Sequence, residues 1–301
     1  MSPELIDYLA SSPVAFSISV GVFGLFIGSF LNVVVHRLPI MLDKEWRAAS
    51  KELLGIDQDD SVDDDTPQKE EEPYNLMVPR SACPKCQHQI TWYENIPVIS
   101  YLFLAGKCSG CKTKISMRYP IVELVTGILY FVCAYEFGFS TLTFWTCLLV
   151  SLLLVLSLID FDTKLLPDQL VYPLLWIGLL ANLNGGFVTL ESAVIGALAG
   201  YLSLWSFYWL FKLITGKEGM GYGDFKLFAA LGAWFGWQSL FLIIMLASVA
   251  GAVLGILFLV IQSKDRNYTI PFGPYLAIAG FVYLLYGPMI MQYYFRSVGL
   301  A

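Results

Sequence analysis

The sequence predicts an all-α polytopic membrane protein, with about eight transmembrane helices and a small cytosolic loop domain built as a four-cysteine zinc knuckle. Three observations lead there. Long apolar runs recur along most of the chain: 57% of its residues are hydrophobic and 14% charged, where a soluble domain carries about 25% charged residues. A single large polar segment, residues 38–118, interrupts them. Inside that segment lie two Cys-x-x-Cys pairs at the spacing of a four-thiolate zinc site. The modest net charge of −6 argues against nucleic acid and suits a basic partner.

Residues 14–35 carry no charge and are long enough for one span at ~20 residues each. The preceding MSPELIDYLASSP has no basic region, so this run is not read as a cleaved signal. GSFLNVVVHRLP (28–39) closes the span, with His36 and Arg37 at its water-facing end and Pro39 expected to stop the helix. In the polar segment, residues 57–72 are acidic and poor in apolar residues, which reads as a solvated insertion or as a lure for a basic substrate. Cys83, Cys86, Cys108 and Cys111 then supply four thiolates to one ion. The tetrahedron would close a loop domain that has little core of its own. Disulfides are disfavoured in the cytosol. Zinc is expected over rubredoxin-like iron, in a structural role, because four thiolates leave no open position. Cys133 and Cys147 sit in apolar runs and read as core.

RYPIVELVTG (118–127) re-enters the membrane. Pro120 suits a first helical turn. Glu123 either complements the helix dipole there or contacts substrate. Further spans are expected at about 120–137, 142–159, 170–184, 190–214, 225–235, 237–261 and 273–294. No internal repeat is evident. With the 38–118 loop in the cytosol, every Lys and Arg except Arg296 falls on or near the cytosolic side. That places both termini outside.

Two acidic regions then share the cytosolic face. SLIDFDTKLLPDQL (157–170) ends the third span with Asp160, Asp162 and Asp168, and GMGYGD (219–224) precedes the sixth with Asp224. Ionisable groups at a membrane boundary are costly and mark function. The alternating glycines allow unusual backbone and close approach. Two carboxylates suffice for aspartyl hydrolysis: one, ionised, takes a proton from water, and the other, protonated, holds the scissile carbonyl. Asp224 is one half of the pair. Asp160 is the best placed partner because it directly follows the apolar run. Asp168 after Pro167 is expected to cap a helix, and Asp162 to be solvated. Residue chemistry leaves that choice open. With two histidines in the chain, no Ser–His or Cys–His set competes. GMGYG follows a membrane helix and not a strand, so it is not read as a dinucleotide site.

Taken in order, GSFLNVVVHRLP (28–39), the two Cys-x-x-Cys pairs, ENIPVISYLFLAGKCSGCK (94–112), RYPIVELVTG, Asp160 followed by Leu166-Pro167, and Gly221-Tyr-Gly223-Asp224 resemble the type IV prepilin peptidases. These are GxGD-type aspartyl proteases and N-methyltransferases of bacterial inner membranes. The resemblance implies Asp160 and Asp224 as the catalytic pair. It also implies prepilin and pseudopilin substrates with basic leaders, S-adenosylmethionine as methyl donor, and a part for Gly106 and Lys107 in methyl transfer. Glu123, Gly221 and Gly223 are then candidate substrate contacts. The domains become a first transmembrane helix (1–37), a zinc-binding loop domain (38–118) and a transmembrane aspartyl protease core (119–301). The acidic run at 57–72 departs from the family pattern. The competing expectations are a proton- or ion-coupled transporter that binds its ion at Asp160 and Asp224, and a zinc-knuckle scaffold without chemistry.

Overall fold

A computed structural model describes residues 3–55, 74–262 and 271–298. The acidic insertion at 57–72 lies outside the described residues, as do Lys264 and Arg266. The described chain is helical: α1 (Pro3–Ser11), α2 (Pro13–Leu53), α3 (Ile99–Phe103), α4 (Arg118–Phe137), α5 (Thr141–Thr163), α6 (Asp168–Ala181), α7 (Leu190–Thr215), α8 (Tyr222–Phe235), α9 (Ser239–Gln262) and α10 (Gly273–Val298). Each of the eight expected spans has a helix. Five helices are long and apolar enough to cross a membrane among the described residues. By contrast α6 and α8 have 14 residues each, or about 21 Å at 1.5 Å per residue, short of a bilayer core of ~30 Å.

Pro39 does not stop the first helix. α2 runs on through it for 41 residues. Pro39 removes one backbone donor, but MLDKEWRAASKEL beyond it is rich in strong helix formers. Arg47 also pairs with Asp43 one turn earlier at 2.8 Å. Helix α1 was not expected.

The chain divides into two compact units, residues 22–127 and residues 1–21 with 128–301. In the smaller unit, α2 and the start of α4 touch at Gly28. A Cβ there would lie 2.7 Å from the Glu123 Cα. Asn32 Nδ2 donates to the Tyr119 carbonyl at 3.1 Å across the same contact.

The larger unit is organised around α8. Phe225, Leu227, Phe228, Leu231 and Trp234 are all buried on this one short helix. Its closest neighbour is α7, which meets it backbone to backbone where Gly196 and Gly200 face Gly232 and Ala229, the small-residue contact typical of membrane helices. Helix α6 supplies the polar ties. The Trp234 indole N–H donates to the Leu174 carbonyl at 2.8 Å, and Asn182 Nδ2 donates to the Ala233 and Trp234 carbonyls. Those two carbonyls are among the four that a helix end leaves without internal partners. Cys133 and Cys147 are buried as expected. Large apolar side chains such as Leu198, Phe207 and Leu213 point outward on α7, as a lipid-facing surface requires.

Candidate active site and metal centre

Helix α5 ends in a left-handed cap at Lys164, whose N–H returns to the Asp160 carbonyl at 2.8 Å. That cap fixes the last turn, and Asp160 on it is buried to 5% exposure. One carboxylate oxygen, Oδ2, accepts the Gly273 N–H at 2.9 Å from the start of α10. A Cβ on residue 273 would come within 2.6 Å of the same oxygen, so only glycine fits there without displacing the carboxylate. Of the other two acids near the end of α5, Asp162 is exposed. Asp168 does not cap α6: Pro167 is the cap residue and no side chain caps it. Asp168 instead pairs with Lys226 of α8 at 2.7 Å.

Asp224 lies in the first turn of α8 and is buried to 7% exposure. Gly221 is the N-cap, and its carbonyl accepts the Asp224 N–H at 3.2 Å. Leu166, two residues beyond the α5 cap, fills the space between the elements. Its Cβ would be 2.7 Å from a Cβ on Gly223, and its Cδ2 3.2 Å from one on Gly273. Gly223 therefore serves close approach, while none of Gly219, Gly221 and Gly223 uses positive φ. Leu166 therefore lies against both Gly223, the residue before Asp224, and Gly273, which binds Asp160. Asp160 and Asp224 are buried beside this contact, while Asp162 is exposed and Asp168 is taken by Lys226.

In the smaller unit, the Sγ atoms of Cys83, Cys86, Cys108 and Cys111 all lie within 4.8 Å of one another, and none is in a disulfide. The Cys83–Cys111 and Cys86–Cys108 separations are each 3.8 Å. A tetrahedron with ~2.3 Å metal–sulfur bonds has edges of about 3.8 Å. The residues therefore fit a tetrathiolate metal.

The two knuckles are copies of one unit, a repeat that sequence inspection missed. Ser81–Ile90 (SACPKCQHQI) and Gly106–Ile115 (GKCSGCKTKI) align residue for residue. Each first cysteine donates its N–H five residues on, Cys83 to His88 and Cys108 to Thr113. Each closes with a positive-φ residue, Gln87 and Lys112, and each has one bridge, Ala82–Gln89 and Lys107–Lys114. Lys107 thus has a structural role through its backbone.

Two family profiles match the chain. One, described as the bacterial peptidase A24 N-terminal domain, covers residues 22–137; the other, described as the type IV leader peptidase family, covers 147–256. The prepilin leader peptidase/N-methyltransferase of Pseudomonas aeruginosa is 53% identical over 295 residues, spanning 98% of this chain and 99% of its own. Its namesake from Aeromonas salmonicida (strain A449) is 55% identical over 279 residues and 92% of each chain. That of Neisseria gonorrhoeae is 46% identical over 276 residues, again 92% of each. The chain belongs to the type IV leader peptidase family. No solved structure matches it.

In this family member, the first-turn place expected of Glu123 is not borne out. Glu123 is not in the first turn of α4, which starts at Arg118; its carboxylate accepts the Val98 N–H at 2.8 Å and is buried. Gly106 is a turn residue at φ +66, packed against Tyr101. Sequence reasoning passed over Gly273 altogether. The one available signal was its setting, Pro271-Phe-Gly-Pro274, at the head of an apolar run. It also passed over Glu94, whose Oε2 accepts from the Thr91 N–H and hydroxyl at 2.8 and 2.7 Å and faces His88 at 3.2 Å. The nearby Ser109 hydroxyl, then Thr91, hold the Glu94 carboxyl down at about 2.

Proposed function

We propose that Asp160 and Asp224 carry the peptidase chemistry of this chain. The function that follows from its family is removal of the leader from type IV prepilins and N-methylation of the new N-terminus. One observation supports the pairing above all: two buried carboxylates, from α5 and α8, flank one side chain, Leu166, which packs against Gly223 beside Asp224 and against Gly273 bound to Asp160, in a chain of this family. The Gly273 N–H donates to Asp160, and such a bond favours the ionised form. Asp160 is accordingly the base that takes a proton from the attacking water. Asp224, protonated, hydrogen-bonds to the scissile carbonyl and stabilises the developing oxyanion. Close carboxylates resist ionising together, so the pair works with one proton.

The remaining assignments belong to the same proposal. Zinc is the metal at the four cysteines, where it would tie the knuckles together. S-adenosylmethionine supplies the methyl group. Substrates include pseudopilins as well as prepilins. Glu123 in one unit, and Gly221 and Gly223 in the other, are substrate contacts, and Gly106 and Lys107 serve methyl transfer. The protein sits in the bacterial inner membrane with both termini periplasmic, and the knuckles and aspartates face the cytosol. Cleavage then falls at the membrane boundary, with the basic leader in water and the apolar pilin helix in lipid. The transporter alternative has no support from the family or the fold.

The test is to incubate the purified protein with a prepilin and isotopically labelled S-adenosylmethionine, and read the mass and N-terminus of the product. A product lacking its leader and carrying one labelled methyl group is expected. An intact precursor would overturn the reading.

A further inference from the structure

Helix α3 has five residues and lies outside every expected span, yet its surface is that of a membrane segment. Phe103 is 87% exposed, and Ile99 and Leu102 are exposed with it. Just upstream, Trp92 is 80% exposed, and the Tyr93 ring, also exposed, meets it edge to face at 5.8 Å. The turn Tyr93–Asn95 and α3 pack together. So many large apolar groups uncovered in one short stretch mark a surface made for an apolar partner. Trp and Tyr are the side chains that collect at the edge of a bilayer.

Two hydrogen bonds within the unit of residues 22–127 set the depth of this stretch. The Val98 N–H, just before α3, donates to the Glu123 carboxylate of α4 at 2.8 Å. The Ser29 hydroxyl of α2 donates to the Asn95 side-chain oxygen at 3.5 Å. Both α2 and α4 are long and apolar enough to cross a membrane. Counted along each helix, Glu123 lies roughly 7.5 Å inward of Arg118, and Ser29 roughly 12 Å inward of Arg37, at 1.5 Å per residue. The headgroup layer on each side of a bilayer is only about 5–7 Å thick. Residues 95–98 are therefore tied to the spans below the level of their charged ends.

We infer that residues 92–103 form a re-entrant element whose exposed side chains, Phe103 and Trp92 foremost, contact bilayer lipid at the boundary between headgroups and acyl chains. The outward residues of the two spans at the same level are apolar as well: Phe26 and Phe30 on α2, Ile121 and Leu124 on α4. That continuity selects lipid as the occupant. Helical backbone closes its own hydrogen bonds in lipid and irregular backbone does not. Val98, at φ +59, is the irregular point, and Glu123 takes its N–H. A buried acid within a membrane helix is costly and needs a reason; pairing the backbone of this element supplies one.

The experiment puts the photoreactive residue p-benzoylphenylalanine in place of Phe103 in the full-length protein. The protein is reconstituted into phosphatidylethanolamine–phosphatidylglycerol vesicles, irradiated, and its adducts are read by mass. Leu198, on the outward face of α7, is the lipid control. Leu53 is as exposed as Phe103, at 87%, but lies roughly 24 Å beyond Arg37 along α2, so it is the water control. Lipid adducts at position 103 are expected within twofold of those at 198 and at least tenfold above those at 53. No lipid adduct at 103 while 198 labels overturns the inference, and so does equal labelling at 53, which would make exposure rather than depth decisive. An adduct at 103 to added prepilin or to a second copy of the chain, in place of lipid, would overturn the choice of occupant. Metal content reports folding; if the variant at 103 loses its metal, the same substitution at Leu102 carries the test.

Discussion

Gly273 shows how much one residue without a side chain can determine. It gives Asp160 an N–H at 2.9 Å, and its missing Cβ leaves the carboxylate its place. Gly273→Ala is expected to lower prepilin cleavage about 100-fold, the cost of misplacing a reacting group by roughly 1 Å, with little loss of folded protein. Cleavage at the wild-type rate would show that Asp160 needs no such anchor. Glu94 gives a pH test in the smaller unit. Its carboxyl sits at about 2 against an ordinary 4.5, so its stabilising contribution is complete above 4.5 and is lost as pH falls toward 2. The unfolding midpoint of the wild type should exceed that of Glu94→Gln at neutral pH, and the gap should close on acidification. A gap that widens would contradict the bonds drawn here. That Asp160 would be the least hydrated acid after the third span was legible in sequence, because it directly follows the apolar run. Gly273 was not, because its partner lies 113 positions away and glycine carries no chemistry to notice.

The helices were legible because apolar runs of ~20 residues can hardly be anything else. Their ends were less so. Pro39 reads as a stop, yet the helix formers after it carry α2 on to Leu53. Asp168 reads as a cap, yet Lys226 of α8 takes its carboxylate. That bond joins α6 to the helix that carries Asp224. Lys226 is 25% and Asp168 47% exposed, so solvent screening keeps the pair to about 1 kcal/mol or less. Asp168→Asn and Lys226→Met should each lower the unfolding midpoint slightly, and the double variant by no more than the larger single effect. Full additivity would mean that the two do not interact. The knuckles, as two copies of one turn, make a matching prediction: Cys83→Ser and Cys108→Ser should release metal to the same extent. Metal retained in one of them would break the equivalence.

The division into two units parallels the family matches. The N-terminal profile spans the unit of residues 22–127, and the leader peptidase profile falls inside the other. The four-cysteine cluster belongs to the first, and Asp160 and Asp224 to the second. The four-cysteine cluster was readable in the sequence because it depends on a few reactive side chains at fixed spacing. The central claim is that Asp160 and Asp224 form one hydrolytic unit. It is tested most directly by measuring leader cleavage in purified Asp160→Asn, Asp224→Asn and the double variant, each checked for folding by its metal content. Residues that act as a unit lose about as much singly as together, so all three should fall to the same background. Near-wild-type cleavage in either single variant would contradict the account.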